Sequence, residues 1–124
     1  MTPIYLGDWS DQDGLKDDFW PNYTYGDDPP YKGELEGVTI LLAYYLYEDY
    51  SGEAYVLFER DGDLFEVHGS HCSCYGLEGQ WEPFRVEKQE ILFRLDNGTF
   101  GREYAWGGGE GANKFADELR ALLT

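Results

Sequence analysis

The sequence predicts an α+β domain in which an antiparallel sheet of three strands or more carries two helices packed on one of its faces. Residues 38–47 are almost entirely β-branched and aromatic, an Asp-Gly pair separates two further strand-like segments, and the last residues have apolar side chains at helical spacing. The 124 residues suffice for one domain with one core. We therefore expect a single domain over residues 1–124, with an acidic, aromatic N-terminal arm at 1–36 and an α+β core at 37–124.

The N-terminal arm is rich in Asp, Gly and Pro, with aromatic residues between them. The Asp-Asp-Pro-Pro run at 27–30 excludes a helix interior, because proline lacks an N–H and disfavours the helical conformation of the residue before it. We expect an irregular arm that its aromatic side chains pin to the domain, with one short helix near Asp13–Phe19. The same composition also suits a binding arm that becomes ordered on a partner.

Three strands are predicted in the middle of the chain. Residues 38–47 have the composition of a central strand. Residues 54–59 and 64–67 are predicted to form a hairpin, because Asp-Gly is a preferred two-residue turn. The turn sets the register, and it pairs apolar residues on one face of the hairpin: Phe58 with Phe65, and Val56 with Val67. Glu59 and Glu66 fall on the opposite face.

Residues 86–97 allow two interpretations. Four side chains follow a helical spacing that Asn97-Gly98 would end: Lys88, Ile91, Leu92 and Leu95. The same Asn-Gly pair also suits a turn between two strands at 91–95 and 99–106. We favour the helix.

The C-terminal residues predict a closing helix. Asn113 is a good N-cap, because its side chain can accept a hydrogen bond from the first turn. Four apolar side chains then share one face of the helix: Phe115, Leu119, Leu122 and Leu123.

Charge is the most unusual feature of the composition. The chain has 25 Asp and Glu residues against 9 Lys and Arg, a net charge of −16. Residues 1–80 carry 17 of the acidic residues and three of the basic ones, which is −14 of that charge. Such a surface repels nucleic acid and anionic membranes, and it attracts basic protein surfaces. Solubility is the alternative explanation, since net charge keeps small proteins soluble.

No segment has the pattern of an export signal or of a membrane span. The N-terminus lacks the basic region and continuous apolar stretch of a signal peptide. No run approaches the roughly 18 apolar residues that a membrane span needs. Cys72 and Cys74 are one residue apart and do not constitute a disulfide framework. We expect a cytoplasmic protein that binds neither membrane nor nucleic acid directly.

All histidines and cysteines of the chain lie within seven positions: His68, His71, Cys72 and Cys74. Imidazole and thiolate are preferred zinc ligands, and a thiol beside a histidine can act as a nucleophile. The spacing argues against both, because adjacent side chains diverge and neither C-x2-C nor H-x3-H is present. The surrounding acidic charge would also raise a thiol pKa. A structural loop is the favoured interpretation.

The stretch HCSCYGLEGQWEP occupies residues 71–83. Together with residues 50–70 before it and the closing segment FADELRALL, it resembles a family of small acidic proteins of phages and prophages. The resemblance implies a phage-encoded protein that acts on the machinery of a bacterial host, and it supplies no catalytic residues. His68 stands where such sequences are expected to carry Asn, which argues further against a zinc site with four ligands.

These observations favour a non-enzymatic binding protein without a cofactor, monomeric or homodimeric, in the cytoplasm of a bacterial host. An acidic, aromatic surface suits an inhibitor that docks on the basic nucleic-acid-binding surface of a host defence protein. Such a protein would be an anti-CRISPR or anti-restriction protein, in one version a mimic of DNA charge. The predicted partner-binding residues are Trp9, Asp11, Asp13, Asp17, Asp18, Trp20, Tyr25, Asp27 and Asp28. The alternative is a small metal-binding or thiol-dependent protein centred on His68, His71, Cys72 and Cys74, with zinc as the metal.

Overall fold

The computed structural model describes residues 3–20, 31–48, 51–72, 76–77, 79–97 and 114–124. Within these ranges the chain forms five strands and three helices. In chain order they are β1 (Ile4–Gly7), α1 (Gln12–Phe19), β2 (Thr39–Glu48), β3 (Ser51–Arg60), β4 (Asp63–Cys72), β5 (Phe84–Val86), α2 (Lys88–Asn97) and α3 (Lys114–Leu123). None of the described helices has the length and apolar character that crossing a membrane requires.

The strands form one mixed sheet in the order β1-β2-β3-β4-β5. Strands β2 to β5 are antiparallel to their neighbours, whereas β1 is parallel to β2, with Ile4 opposite Leu42 and Gly7 opposite Tyr45. The α+β class is confirmed. The sheet has two strands more than the three identified in the sequence, and it is mixed rather than purely antiparallel. The two additional edge strands have four and three residues, too short for a periodic pattern to reveal them.

The predicted hairpin register is confirmed. Val56 lies opposite Val67, and Phe58 lies opposite Phe65. The turn between β3 and β4 consists of Asp61 at φ 54° and Gly62 at φ 86°, the left-handed conformations that a type I′ hairpin turn requires at both positions. The ladder continues to both ends of the strands, from Arg60 opposite Asp63 to Ser51 opposite Cys72.

An apolar cluster lies on each face of the sheet, because successive residues of a strand point to opposite faces. On one face, the α2–α3 face, Ile91, Leu119 and Leu123 of those helices pack into the first cluster. On the other, the α1 face, Leu15 and Phe19 pack into the second. The two C-terminal helices share one face, as predicted, but α1 covers the other face, so the helices are not confined to one side of the sheet. Packing on two faces is also the reason why residues 40–45 of β2 and 54–58 of β3 are continuous buried apolar runs.

Residues 3–20 of the predicted N-terminal arm form regular elements that pack into the core. Besides β1, they contribute α1, and the short helix predicted near Asp13–Phe19 is confirmed at Gln12–Phe19. Asp11 caps this helix, since its side chain accepts a hydrogen bond from the Gly14 N–H at 2.9 Å. Gly14 has a low helix propensity. The Asp11 cap and the burial of Leu15 and Phe19 compensate for it and stabilise the helix.

Both predicted C-terminal helices are confirmed. Helix α2 occupies the segment for which a hairpin was the alternative, so that alternative is wrong for residues 88–97. In α3, Leu119 and Leu123 are buried and Leu122 is partly buried against the same cluster. The predicted N-cap Asn113 and the side chain of Phe115 lie outside the described residues.

Candidate functional site

The two tryptophans predicted to anchor a partner are core residues. Trp9 is 3% exposed and Trp20 is 8% exposed, whereas an anchor at an interface has to be accessible in the free protein. Both rings pack on Phe19, at centroid distances of 5.9 Å. Their burial explains the aromatic content of the segment as core packing beneath α1.

Four of the predicted aspartates lie in the described part of the chain. Asp11, Asp13 and Asp17 are exposed on α1 or at its start, and Asp18 is half-buried near its end. The remaining predicted residues lie outside the described ranges: Tyr25, Asp27 and Asp28. The structure thus brings four of the predicted aspartates together on one short element.

Asp18 belongs to a group of polar and aromatic side chains at one corner of the α1 face. We name it the Asp18 cluster and define it as Asp8, Trp9, Asp18, Tyr45, Tyr47 and His71. The Trp9 indole stacks on the Tyr45 ring at 5.1 Å between centroids. Its Nε1–H donates a hydrogen bond of 2.6 Å to Oδ2 of Asp18. The core thereby fixes the position of this carboxylate.

The imidazole of His71 lies between two tyrosines of β2. The Tyr45 hydroxyl is 2.6 Å from Nε2 of His71. The Tyr47 ring stacks on the imidazole at 5.2 Å, with an interplanar angle of 18°. Gly52, opposite His71 in the ladder, makes room for the ring, because a Cβ at this position would lie 2.3 Å from Nε2 of His71.

Asp8 brings a second carboxylate to the same corner. Its N–H donates to the carbonyl oxygen of Tyr45 at 2.6 Å, which extends the pairing of β1 with β2 by one residue. Its Oδ2 accepts a hydrogen bond of 2.9 Å from the Tyr47 N–H. Asp8 and Asp18 are therefore both held by hydrogen bonds to residues of the sheet or core.

The electrostatics of this region are those of a site in excess of negative charge. Burial is the largest of the causes that raise the pKa of Asp18, and the charges of Asp17 and Asp8 raise it further. The hydrogen bond from Trp9 and the charge of His71 lower it, but the net shift is upward. The pKa of Tyr5 is also raised, by burial and then by the charges of Asp11 and Asp13. Burial is the largest cause of both shifts, and the charges of neighbouring carboxylates add to it.

In the described part of the chain, most ion pairs of basic side chains lie away from α1, around β4, β5, α2 and α3. Arg85 lies 3.3 Å from Asp63 and 3.0 Å from Glu87, and Arg120 forms an ion pair with Asp96. In the α1 region, the Lys16 ammonium lies 4.4 Å from the centroid of the Tyr31 ring. Opposite charges thus pair around β4, β5, α2 and α3, whereas acidic residues predominate around α1.

A second polar group, on the α2–α3 face, consists of Tyr55, Glu66, His68 and Arg94. We name it the Glu66 cluster. Glu66 is 0% exposed and accepts hydrogen bonds from the Tyr55 hydroxyl and, at 2.7 Å, from Nη2 of Arg94. Nε2 of His68 lies 3.7 Å from its Oε1. The sequence placed Glu66 on the right face of β4 but gave no sign of these partners.

The charge of Glu66 is compensated within the fold. Burial raises its pKa, but the nearby His68, the hydrogen bonds from Tyr55 and Arg94 and the charge of Arg94 lower it, and the net shift is downward. A buried carboxylate that stays ionised because it is paired has a structural role. We therefore place the candidate functional site at the Asp18 cluster and the neighbouring surface of α1.

The two histidines of the proposed metal site lie on opposite faces of β4. His68 is stacked on Phe84 at 5.6 Å and lies beside Glu66 on the α2–α3 face, whereas His71 lies against Tyr45 on the α1 face. One metal ion cannot take both as ligands, because their side chains are three positions apart on one strand. The Cys72 side chain and Cys74 lie outside the described residues, within which no group of three metal-ligating side chains occurs.

The sequence contained one signal for the Asp18 cluster that the predictions did not use. Extending the confirmed register of the β3–β4 hairpin places Gly52 opposite His71, and the alternation of β2 puts Tyr45 and Tyr47 on one face. A glycine opposite a histidine indicates space for its ring.

No protein-family profile, curated protein or solved structure matches the chain.

Proposed function

We propose that this protein is a non-enzymatic inhibitor that docks its acidic α1 surface on the basic nucleic-acid-binding surface of another protein. The observation that carries the proposal is the position of the aspartates. Asp8, Asp11, Asp13 and Asp17 are exposed along β1–α1, and the half-buried Asp18 adjoins them. Residues 3–20 contain one basic residue, Lys16.

A rigid support makes this charge useful for recognition. Helix α1 is fixed on the sheet by Leu15 and Phe19, so the backbone that carries its aspartates has a fixed position. A preorganised surface loses less conformational entropy on binding than mobile side chains on a linker. Negative charge on such a surface also accelerates the encounter with a basic partner.

The partner would be a nucleic-acid-handling protein. A surface that binds phosphates presents several Lys and Arg side chains, and an array of carboxylates on a helix competes with phosphates for them. In its narrower form, the proposal is a phage-type anti-CRISPR or anti-restriction protein that mimics the charge of DNA. This narrower form depends on the phage origin that the sequence of residues 71–83 leads us to expect.

The test is a pull-down from bacterial lysate with elution by a salt gradient and identification by mass spectrometry. The proposal expects a stoichiometric partner that salt releases and whose binding to DNA this protein inhibits. The triple variant D11N/D13N/D17N should lose both effects while the helix stays capped, because Asn caps as well as Asp. A matched control is E59Q/D61N/E82Q, which removes three exposed acids elsewhere. Equal inhibition by the two triple variants would refute the proposal.

A further inference from the structure

The buried carboxylate of Glu66 has two basic side chains at the same oxygen atom, one of them charged permanently and the other only when protonated. Nη2 of Arg94 lies 2.7 Å from Oε1, and Nε2 of His68 lies 3.7 Å from it. The first distance is that of a charge-assisted hydrogen bond. The second is too long for a hydrogen bond but within the range of an ion pair. We infer that His68 is a proton-dependent second cation for Glu66, which compensates the buried charge where Arg94 is withdrawn from it.

The position of His68 beside Glu66 does not depend on its charge. Its ring stacks on Phe84 at 5.6 Å between centroids, with an interplanar angle of 11°. It also meets the ring of Tyr55, its partner in the β3–β4 ladder, in a T-shaped arrangement at 5.1 Å. The His68 side chain is 35% exposed, so it can exchange a proton with solvent without leaving the carboxylate.

Charged groups on three elements act on the protonated form of His68. On β4, Glu66 favours it, and on β3, the partly buried Glu53 lies on the same face and adds a second negative charge. On α2, Arg94 disfavours it, because like charges repel. The contact from β5 is the uncharged ring of Phe84. Arg94 therefore opposes the two carboxylates, and its removal would leave them to favour the imidazolium.

The pH then determines whether a second cation is present. Imidazole side chains change charge between about pH 5 and pH 8. Burial raises the pKa of Glu66, but its partners lower it by more, so the net shift from 4.5 is downward and the carboxylate is ionised across this range. The inference is independent of the acidic docking surface, which lies on the other face of the sheet.

The experiment compares the effect of Arg94→Met at two pH values, about 7.5 and about 5.5, on either side of the ordinary histidine titration. Urea unfolding, followed by tryptophan fluorescence, gives the loss in the unfolding midpoint relative to the same protein with Arg94. We expect the loss at the lower pH to be about half of that at the higher pH. The imidazolium replaces part of the lost interaction, but at a longer distance from Oε1.

His68→Gln is the decisive background, because glutamine keeps a neutral donor and cannot become a cation in this range. In this background Arg94→Met should cause the same loss at both pH values. His71→Gln is the matched control, since it removes the other histidine of the chain, which lies on the α1 face. With His71→Gln the loss should still be halved at the lower pH.

Two results would overturn the inference. Equal losses at both pH values with His68 present would show that its protonation does not compensate Glu66. A smaller loss at the lower pH that persists with His68→Gln would assign the effect to protonation of Glu66 itself. If Arg94→Met does not fold at the higher pH, Arg94→Gln, which keeps a neutral donor to Glu66, is measured in the same three backgrounds.

Discussion

Glu66 and Asp18 are two carboxylates that one sheet holds on opposite faces, and their partners differ in kind. Glu66 is enclosed completely and accepts hydrogen bonds from Arg94, a permanent cation, and from the Tyr55 hydroxyl. Asp18 is half-buried, and the hydrogen bond that fixes it comes from the neutral indole of Trp9. Burial raises the pKa of both groups, yet the net shift is downward for Glu66 and upward for Asp18.

The difference distinguishes a charge that stabilises the fold from a charge that the fold leaves uncompensated. The partners of Glu66 outweigh the cost of its burial, so its ionised form stabilises the fold and its field is cancelled at short range. At Asp18, Asp17 and Asp8 add repulsion to the cost of burial, so the ionised form is less stable than in water. The charge of Asp18 therefore costs stability, although its carboxylate accepts the hydrogen bond of the buried Trp9 indole. A charge that the fold leaves uncompensated near its surface supports a role in binding.

The largest expected effect comes from breaking the compensation at Glu66. Arg94→Met keeps the apolar stem and removes the cation, which leaves a buried carboxylate with Tyr55 and His68. We expect the free energy of unfolding to fall by about 2–3 kcal/mol, below the usual cost for a fully buried pair, because the Arg94 side chain is 34% exposed. Urea unfolding at pH 7, followed by tryptophan fluorescence, measures it.

Arg85→Met is the control for that prediction. Arg85 pairs with Asp63 and Glu87, all of them largely exposed, and exposed ion pairs contribute little to stability. Its unfolding midpoint should match that of the wild type. Equal destabilisation of the two arginine variants would mean that Arg94 does not compensate the buried charge of Glu66. Glu66 and Asp18 would then no longer differ in this respect.

The sequence could predict what local patterns determine. The Asp61-Gly62 turn, the register of Phe58 with Phe65 and the apolar stripes of α2 and α3 all follow from short-range chemistry. The partner of Glu66 could not be predicted, because Arg94 lies 28 residues away and reaches it from a helix whose face depends on tertiary packing.

The candidate site was predicted in part, for a related reason. Composition placed acidic residues and tryptophans in one segment, but it could not separate the exposed Asp11 and Asp13 from the buried Trp9 and Trp20. That separation depends on β1, a four-residue strand whose partner, β2, begins more than thirty residues later. His71 was singled out for its cysteine neighbours, whereas its contacts are with Tyr45 and Tyr47 across the sheet.

A smaller effect is expected from Gly52→Ala, which disturbs the Asp18 cluster alone. The new Cβ would lie 2.3 Å from Nε2 of His71, so the imidazole has to leave Tyr45 and Tyr47. We expect a loss of about 1 kcal/mol, the low end of the range for overpacking, because a side chain rather than the backbone has to move. The Trp9 indole signal should shift, whereas the NMR signals of Tyr55 and Arg94 should not.

Gly14→Ala is the matched control, since it adds the same methyl group beside the same cluster. At this position the nearest atoms, of Asp11 and Trp9, would lie at 3.6 Å. Alanine also has the higher helix propensity, so this variant should be more stable than the wild type by about 0.5 kcal/mol. A Gly52→Ala protein with unchanged stability and an unchanged Trp9 signal would contradict the placement of His71.

The smallest effect concerns Asp18 and the pH dependence of stability. Because folding raises the pKa of Asp18, its ionised form costs stability at neutral pH, and the cost is relieved as the pH falls through the raised pKa. Glu66 has the opposite sign: its contribution is present above its ordinary pKa of 4.5 and is lost as the pH falls through the lowered value. In the wild type the two carboxylates therefore partly offset each other on acidification.

Asp18→Asn removes that offset. We expect a gain at pH 7 of at most about 0.5 kcal/mol, since solvent screens a half-exposed charge, followed by a steeper fall in stability between about pH 6 and pH 3. Urea unfolding at several pH values measures both. Asp61→Asn should leave the profile unchanged, because Asn tolerates the left-handed conformation of the turn. A profile of Asp18→Asn with a lower plateau than the wild type would mean that this carboxylate stabilises the fold as Glu66 does, and the case for its role in binding would fall with it.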